Sequence, residues 1–402
     1  MLYWKIRMAN IDTNGDKIEE LLSRGVEDCF VKDDLKKELL SGRQLRIKFG
    51  IDPTGPKIHI GRAIPLRKLR QFQLLGHQVV LIIGDFTAQI GDPSDKLAKR
   101  PMLTREVIEE NMRDYKAQIG KIIDIDKVEF VYNSDWLRPL GFQEICQLAE
   151  SFTVQQMIAR RNFSERIEKG EEVSLRELMY PLMQGYDSVA INADVEIGGF
   201  DQLFNLKAGR YIQKHYGKKE QNVLTIEMLE GTDGRKMSTS WGNIITIVDE
   251  PNDMYGKIMS VRDDLIIKYF ILTTDLSLLE ITQIEKAIKD GENPKVHKMR
   301  LAREIVTMYH SEKAAAKAEE QFENIFAKGA LPETMLEIKL PVLDVAAELK
   351  ALKIIESKSE WTRLIKENAV SVHEGEDISD AKWLPKESCV LKIGKRRFVR
   401  FV

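Results

Sequence analysis

An α/β fold built on a parallel sheet is what this sequence predicts, and three observations carry that reading. Leu45-Arg-Ile-Lys-Phe-Gly-Ile51 alternates apolar and polar residues as a strand does. From Gly61 to Leu75, Ile64, Leu66, Leu69 and Phe72 recur at helical spacing, and Gly76 follows where a helix C-cap favours glycine. Val79-Val-Leu-Ile-Ile-Gly84 is an unbroken apolar run, the mark of a strand covered on both faces. Strand, loop, helix and strand in succession make a βαβ unit, whose strands run parallel and whose ligands sit at the strands' carboxyl ends.

The other segments follow in order. Asp16 to Leu40 reads as polar helix, and residues 100–190 as mainly helical. Val195 to Asp201 and Val223 to Ile247 form a second strand-and-loop region. Pro251 to Phe326 is helical and charged, and Lys328-Gly-Ala-Leu-Pro332 is a linker. Residues 339–402 hold 13 Lys and Arg against 10 Asp and Glu, so a net +3 follows 338 residues carrying −5. That contrast marks a separate basic module. The expected divisions are 1–40, 41–250, 251–330 and 339–402.

At 402 residues, two to three domains are expected. The 43% hydrophobic and 31% charged content excludes a disordered or fibrous chain. The net charge of −2 excludes a globally basic coat but not a local basic patch. Cys29, Cys146 and Cys389 lie far apart with no CxxC, which argues against a zinc site or a disulfide framework. The N-terminus has no signal-peptide run, and the longest strongly apolar stretch, Val79 to Ile83, cannot span a bilayer. A cytoplasmic protein is expected, with Met8 as a second candidate start.

Neither GxxxxGK[ST] nor GxGxxG occurs, so a nucleotide must be held by other means. One candidate is Asp52-Pro-Thr-Gly-Pro-Lys-Ile-His59-Ile-Gly61-Arg62, which puts Thr54, His59 and Arg62 between a strand and the start of a helix. A helix N-terminus attracts phosphate through its unpaired N–H groups and its dipole. The competing reading is a capped turn with a structural histidine. The second candidate, Gly231-Thr-Asp-Gly-Arg-Lys236-Met-Ser-Thr-Ser240, joins glycines, cations and hydroxyls in a loop that could wrap a triphosphate. Its alternative is a solvated hairpin turn. Tyr180, Gln184 and Asp187 stand at i, i+4 and i+7, one face of a helix, as either a polar pocket or a buried polar patch.

Together the two loops resemble the HIGH and KMSKS pair of class I aminoacyl-tRNA synthetases. Phe49-Gly-Ile-Asp-Pro-Thr54, Leu66-Arg-Lys-Leu69, Ile90-Gly-Asp-Pro-Ser94, Tyr180-Pro-Leu-Met-Gln184-Gly-Tyr-Asp187 and Gly198-Gly-Phe-Asp-Gln202 are similar to the bacterial tyrosyl-tRNA synthetases, in their order and spacing. The resemblance implies a doubly wound parallel-sheet catalytic domain at 41–250, with a dimer-forming helical insertion near 105–190. It also implies a helical anticodon-binding domain at 251–330 and a small α+β, S-four-type RNA-binding domain at 339–402. ATP, with Mg2+, L-tyrosine and tRNA(Tyr) are the implied substrates of a homodimer, and no protein-bound metal is implied.

The resemblance assigns ATP to Gly50, Asp52, His59, Gly61, Arg62, Lys236, Met237 and Ser238. Catalysis falls to Thr54, His59 and Lys236, with Lys96 and Arg100 as further cations. Tyrosine falls to Asp187 and Lys48 at its phenol, and to Tyr180, Gln184, Asp92 and Gln202 at its ammonium and carboxylate. The sequence departs from the pattern at Arg62 (for histidine), Thr239 (for lysine), Phe200 (for a small residue) and Lys48 (for a phenol-contacting tyrosine). In the tail, Lys392, Lys395, Arg396, Arg397 and Arg400 alternate with Val and Phe, suggesting a strand with a basic, RNA-binding face. A tryptophan-specific sister shares both loops, but the Asp187 face argues against it. An RNA-binding protein on an inactive synthetase scaffold is the reading from another class.

Overall fold

The structure, a computed structural model, describes residues 11–93, 103–327, 335–352, 354–355, 357–373, 375–394 and 397–402. The chain divides into two compact units, residues 1–250 with 257–310, and residues 251–256 with 311–402.

The first unit is built on six strands: β1 (Val26–Phe30), β2 (Arg46–Ile51), β3 (Gln78–Ile83), β4 (Val128–Tyr132), β5 (Val195–Gly199) and β6 (Asn222–Ile226). Their order across the sheet is β1-β6-β5-β2-β3-β4. All neighbours run parallel except β1, which lies antiparallel on the β6 edge. From β2 the chain steps through β3 to β4 on one side, then returns to build β5 and β6 on the other. The order therefore reverses between β2 and β5, and that reversal opens a crevice at the strands' carboxyl ends. The apolar run predicted as a doubly covered strand is β3, with Val79 to Ile83 all buried.

Local sequence sets the helices around the crevice. His59 is the N-cap of the helix Ile60–Leu74, its side chain accepting from the Arg62 amide, and Gly76 adopts φ +94° beyond the other end. The helix Leu175–Ala190 opens on a capping box, Ser174 with Glu177. It packs tightly on the helix Leu203–His215: a Cβ on Gly185 would fall 2.5 Å from Ile212 Cδ1 and 3.1 Å from the Ala208 backbone. Only glycine permits that approach, which brings the face of Tyr180, Gln184 and Asp187 over the end of β5.

In the second unit, β7 (Leu336–Ile338), β8 (Val370–Val372), β9 (Cys389–Ile393) and β10 (Arg397–Phe401) form a sheet in the order β7-β10-β9-β8. Trp361, Leu364, Leu391, Ile393, Val399 and Phe401 make its core with the helix Lys358–Lys366.

Three expectations change. The helical reading of Asp16 to Leu40 is interrupted by β1, because Gly25 at φ +62° turns the chain out of the helix Gly15–Ser23. The helical reading of 100–190 contains β4, whose Val-Glu-Phe-Val-Tyr alternation completes the sheet beside β3. The stretch 251–330 is not one unit, since residues 257–310 belong with the large sheet. Arg24 explains part of this, donating to the carbonyls of Ile271, Thr274 and Leu276. Among the described residues, no helix is long and apolar enough to cross a membrane.

Candidate active site

A cavity of about 500 Å3 opens at the carboxyl ends of β2 and β5, where the strand order reverses. Gly50, Asp52, Thr54, His59, Gly61 and Arg62 line it from the β2 side. Asp92, Tyr180, Gln184, Asp187 and Gln202 line it next to β5, and Lys236, Met237 and Ser238 complete it. Residues far apart in sequence thus share one chamber. Lys96 and Arg100 lie outside the described residues.

The turn after β2 is held from outside the βαβ unit. Gln118 accepts from the Ile58 amide and donates to the Pro56 carbonyl, both at 2.8 Å, while the Tyr115 hydroxyl donates to Gly55 O at 2.6 Å. So fixed, the turn sets Thr54 Oγ1 2.8 Å from Arg62 Nη2, joining two donors of the site. His59 Nδ1 accepts from the Arg62 amide at 3.3 Å. Burial, with Arg62 and Lys236 nearby, pulls the imidazole down to about 3. His59 is therefore neutral at physiological pH, and with Nδ1 accepting, its proton sits on Nε2 as a donor. A Cβ at Gly61 would meet His59 Nδ1 at 3.1 Å and Met237 Sδ at 3.5 Å, so this glycine lets the two signature segments close on each other.

Lys236 Nζ stands 2.9 Å from Asp201 Oδ2 at the mouth of β5. Asp92 accepts from Gln202 at 2.7 Å and from Asn205 at 3.4 Å. The Tyr180 hydroxyl donates to Asp52 at 2.7 Å, and burial together with that carboxylate raises its pKa well above the ordinary phenol value. Thr87 donates to the other Asp52 oxygen at 2.8 Å, and Asn133 donates to Thr87 at 3.0 Å. Asn133 also reaches Asp187 Oδ2, at a long 3.5 Å, while Trp136 Nε1 donates to Oδ1 at 2.7 Å. Burial lifts the Asp187 carboxyl to about 7, against the pull of Lys48 and these two donors.

Lys48 is not among the cavity's lining residues. Its ammonium, fully buried, contacts Glu196 at 2.8 Å and donates to the Gln184 carbonyl and the Ser188 hydroxyl, each at 2.7 Å. Three partners use its three N–H groups, so the expected phenol contact gives way to a structural ion pair. Glu196 in turn accepts from Gln184 Nε2 at 3.1 Å. A carboxylate can only accept, so it fixes the amide with Oε1 facing away from it.

Trp136, Asn133, Thr87 and Gln118 were not singled out from the sequence. Asn133 and Trp136 directly follow β4, which the sequence reading took as helix. Recognising Val128–Tyr132 as a strand would have flagged them by the same rule that flagged residues 52–62.

In the tail, parity divides the basic cluster. Leu391, Ile393, Val399 and Phe401 point inward, and Lys392 is exposed on the opposite face. Arg400 alternates with Val399 and Phe401 and shares the Lys392 side. Arg397 has the inward parity, donating to the Ile354 carbonyl and pairing with Glu360 at 3.0 Å. It therefore does not join the outward basic face. Lys395 and Arg396 lie outside the described residues.

Comparison with known proteins agrees with this geometry. The family model for class I tRNA synthetases (W and Y) matches residues 40–327. The chain is 46% identical over 399 residues to a tyrosine–tRNA ligase of Desulfotalea psychrophila, covering 95% of this chain and 97% of that one. It is 44% identical over 389 residues to one from Thermotoga maritima, covering 95% and 96%. Its fold is similar to a C-terminally truncated mitochondrial tyrosyl-tRNA synthetase of Aspergillus nidulans (TM-score 0.64, 23% identity, 77% of this chain and 94% of that one). It is also similar to the tyrosyl-tRNA synthetase of Archaeoglobus fulgidus in complex with L-tyrosine (TM-score 0.60, 19% identity, 76% and 99%).

Proposed function

The chain belongs to the class I tRNA synthetases of the tryptophan and tyrosine family, and from that premise we propose how its site joins tyrosine to tRNA. The reaction is the ATP-dependent attachment of tyrosine, through a tyrosyl-adenylate, that the curated relatives share. In the first step a carboxylate oxygen of tyrosine attacks the α-phosphorus of ATP, the bond to the bridging oxygen breaks, and pyrophosphate leaves. In the second, a terminal ribose hydroxyl of the tRNA attacks the acyl carbonyl and AMP leaves.

Asp187 carries the amino-acid choice. Trp136 holds one of its oxygens and, among the described residues, the other makes only the long Asn133 contact, so it suits acceptance of a phenolic O–H. Phenylalanine would leave that buried acceptor unsatisfied, at a cost of about 1–3 kcal/mol. Gln184 Oε1, turned from Glu196, and the Asp92 carboxylate suit the substrate ammonium, with Tyr180 and Gln202 beside them.

Thr54, neutral His59 through Nε2–H, Arg62 and Lys236 act on the phosphates. Their task is positioning and stabilising charge that grows on the leaving pyrophosphate. Gly50, Asp52, Gly61, Met237 and Ser238 shape the nucleotide side. Mg2+ enters with ATP as part of the substrate. On the outer face of the second unit, Lys392 and Arg400 meet tRNA phosphates. Exposed Phe142, Val154 and Leu175, at 83%, 62% and 79%, belong to the surface through which two copies pair. The site of action is the cytoplasm. ATP–pyrophosphate exchange with tyrosine, tryptophan and phenylalanine tests the reading: exchange should require tyrosine, and exchange with tryptophan alone would overturn it.

A further inference from the structure

We infer that Asn243 is a positioning residue for Lys236, carrying the placement of the His59 segment into the 231–242 loop; this rests on the function proposed above. Asn243 is buried, 4% exposed, just beyond that loop. Its Oδ1 accepts from the Ser238 amide at 2.9 Å. Its Nδ2 lies 2.7 Å from Asp233 Oδ1, 3.1 Å from the Lys236 carbonyl and 3.3 Å from the Arg235 carbonyl. Its own carbonyl accepts from the Thr232 amide at 3.2 Å. One side chain therefore grips the backbone on both sides of Lys236, at residues 235, 236 and 238.

The neighbouring chain is fixed to the other signature segment. The Ile60 amide donates to the Ile245 carbonyl at 2.8 Å, and His59 and Thr246 form a β-bridge. Met237 N donates to Leu229 O at 3.0 Å, anchoring the loop's inner side. A path of direct bonds thus runs from His59 and Ile60, through Ile245 and Thr246, to Asn243 and the Lys236 backbone. Gly231 makes room for it: a Cβ there would fall 2.3 Å from the Asn243 carbonyl oxygen and 2.6 Å from its Cγ. Asp233, the other acceptor, is held down to about 2 by Asn243 and Arg235, so it stays ionised and the clamp persists across the working pH range.

The arrangement does what an amide does best. It offers an acceptor to one amide while its two N–H groups are shared among a carboxylate and two carbonyls, the nearer ones at 2.7 and 3.1 Å, a combination that aspartate, serine or alanine cannot reproduce. Losing it leaves the loop backbone without these ties, and a shift of about 1 Å in Lys236 is enough to cost on the order of 10²-fold in rate.

The experiment uses the full chain and measures pre-steady-state adenylate formation, tyrosine binding at equilibrium and thermal midpoint. The variants are Asn243→Asp, Asn243→Ala, Gly231→Ala and each Asn243 variant combined with Lys236→Ala. Asn243→Asp should slow adenylate formation by roughly 10–100-fold with tyrosine affinity near wild type, while the midpoint falls because a buried carboxyl then faces ionised Asp233 and two carbonyls. Gly231→Ala should reproduce the loss by displacing Asn243. Placed on Lys236→Ala, either Asn243 change should cost little more, because both act through one ammonium group. Full additivity in the double variants would overturn the inference, as would a wild-type rate in Asn243→Asp. A fall in tyrosine affinity matching the fall in rate would mark a merely structural role and overturn it too. If wild type shows no tyrosine-dependent adenylate at all, the functional reading fails instead, which keeps the two apart.

Discussion

Lys48 on β2 and Glu196 on β5 face each other in parallel register, their charged atoms 2.8 Å apart with side chains 0% and 1% exposed. This ion pair sits under the point where the strand order reverses. Glu196 also accepts from Gln184, Ser188 and Gln221, so the pair braces the amide we assign to the substrate ammonium. Removing one partner leaves an uncompensated buried charge. Lys48→Met or Glu196→Gln alone should each cost roughly 3–5 kcal/mol, and the double variant less than their sum. Chemical denaturation of the four proteins measures this, and strictly additive losses would refute the pairing as described.

Lys236→Ala should slow tyrosyl-adenylate formation by roughly 10²–10³-fold while leaving tyrosine affinity nearly unchanged. The lysine pairs with Asp201 at the mouth of β5 rather than with the amino-acid pocket. Its contribution is therefore expected in the transition state. Rapid-quench measurement of adenylate checks this, and an unaltered rate would defeat the assignment.

His59 does two things that substitution can separate. Its Nδ1 caps the helix Ile60–Leu74, and the residue lines the cavity with Nε2–H left as its donor. Asparagine is a good N-cap, so His59→Asn should keep the melting temperature and lose adenylate formation, whereas His59→Ala should lose both, the cap alone costing about 1 kcal/mol. Because burial holds the folded imidazole near 3 against 6.5 when unfolded, the unfolded state binds the extra proton first. Stability from this residue is complete above the unfolded value and drains away as pH falls towards the folded one. A midpoint that does not respond to the substitution over that acid range would contradict the depressed value.

The Asp187 carboxyl, raised to about 7, makes tyrosine recognition pH-dependent. A raised carboxyl favours the protonated fold, so its contribution to stability is fully present below the unfolded value and is lost as pH rises through about 7. Recognition runs the other way, because only the carboxylate is an acceptor alone. Tyrosine affinity should therefore tighten from roughly pH 6 to pH 8, and Asp187→Asn should flatten the profile and narrow the preference over phenylalanine. Titration calorimetry across that range decides it; a flat wild-type profile would contradict the raised value, and an unchanged preference over phenylalanine in Asp187→Asn would rule out Asp187 as the phenol acceptor.

The sequence made the βαβ unit legible because its signals were strong and local: an alternating strand, a helix with its cap, and an apolar run. It also exposed the two loops and the face of Tyr180, Gln184 and Asp187, since these are spacing patterns. What it hid was short or depended on distant partners. β1 and β4 are five-residue edge strands, and both lie within stretches of helical composition. Lys48 looked like a site residue because nothing local announces that Glu196, 148 positions later, sits opposite it. Asn243 was invisible for the same reason, its importance lying in the backbone it holds.

The basic strand of the second unit offers the last test. Lys392 and Arg400 lie on the outward face, whereas Arg397 is tied inward to Glu360 and the Ile354 carbonyl. Among the described residues Arg400 keeps only a loose 3.7 Å pairing with Glu337, both half-exposed, so little folding energy rests on that pair. If the outward face meets RNA, Lys392→Ala and Arg400→Ala should each weaken tRNA binding and reduce its salt dependence by roughly one unit of slope. Arg397→Ala should instead lower the stability of the small sheet, because Glu360 and a carbonyl lose their donor. Adenylate formation should be untouched by the two outward changes, since the cavity belongs to the other unit. Filter binding across a salt series, exchange assays and thermal scans on the same three preparations separate these outcomes. Equal slopes in all three variants and wild type would show that this face does not carry the phosphate contacts.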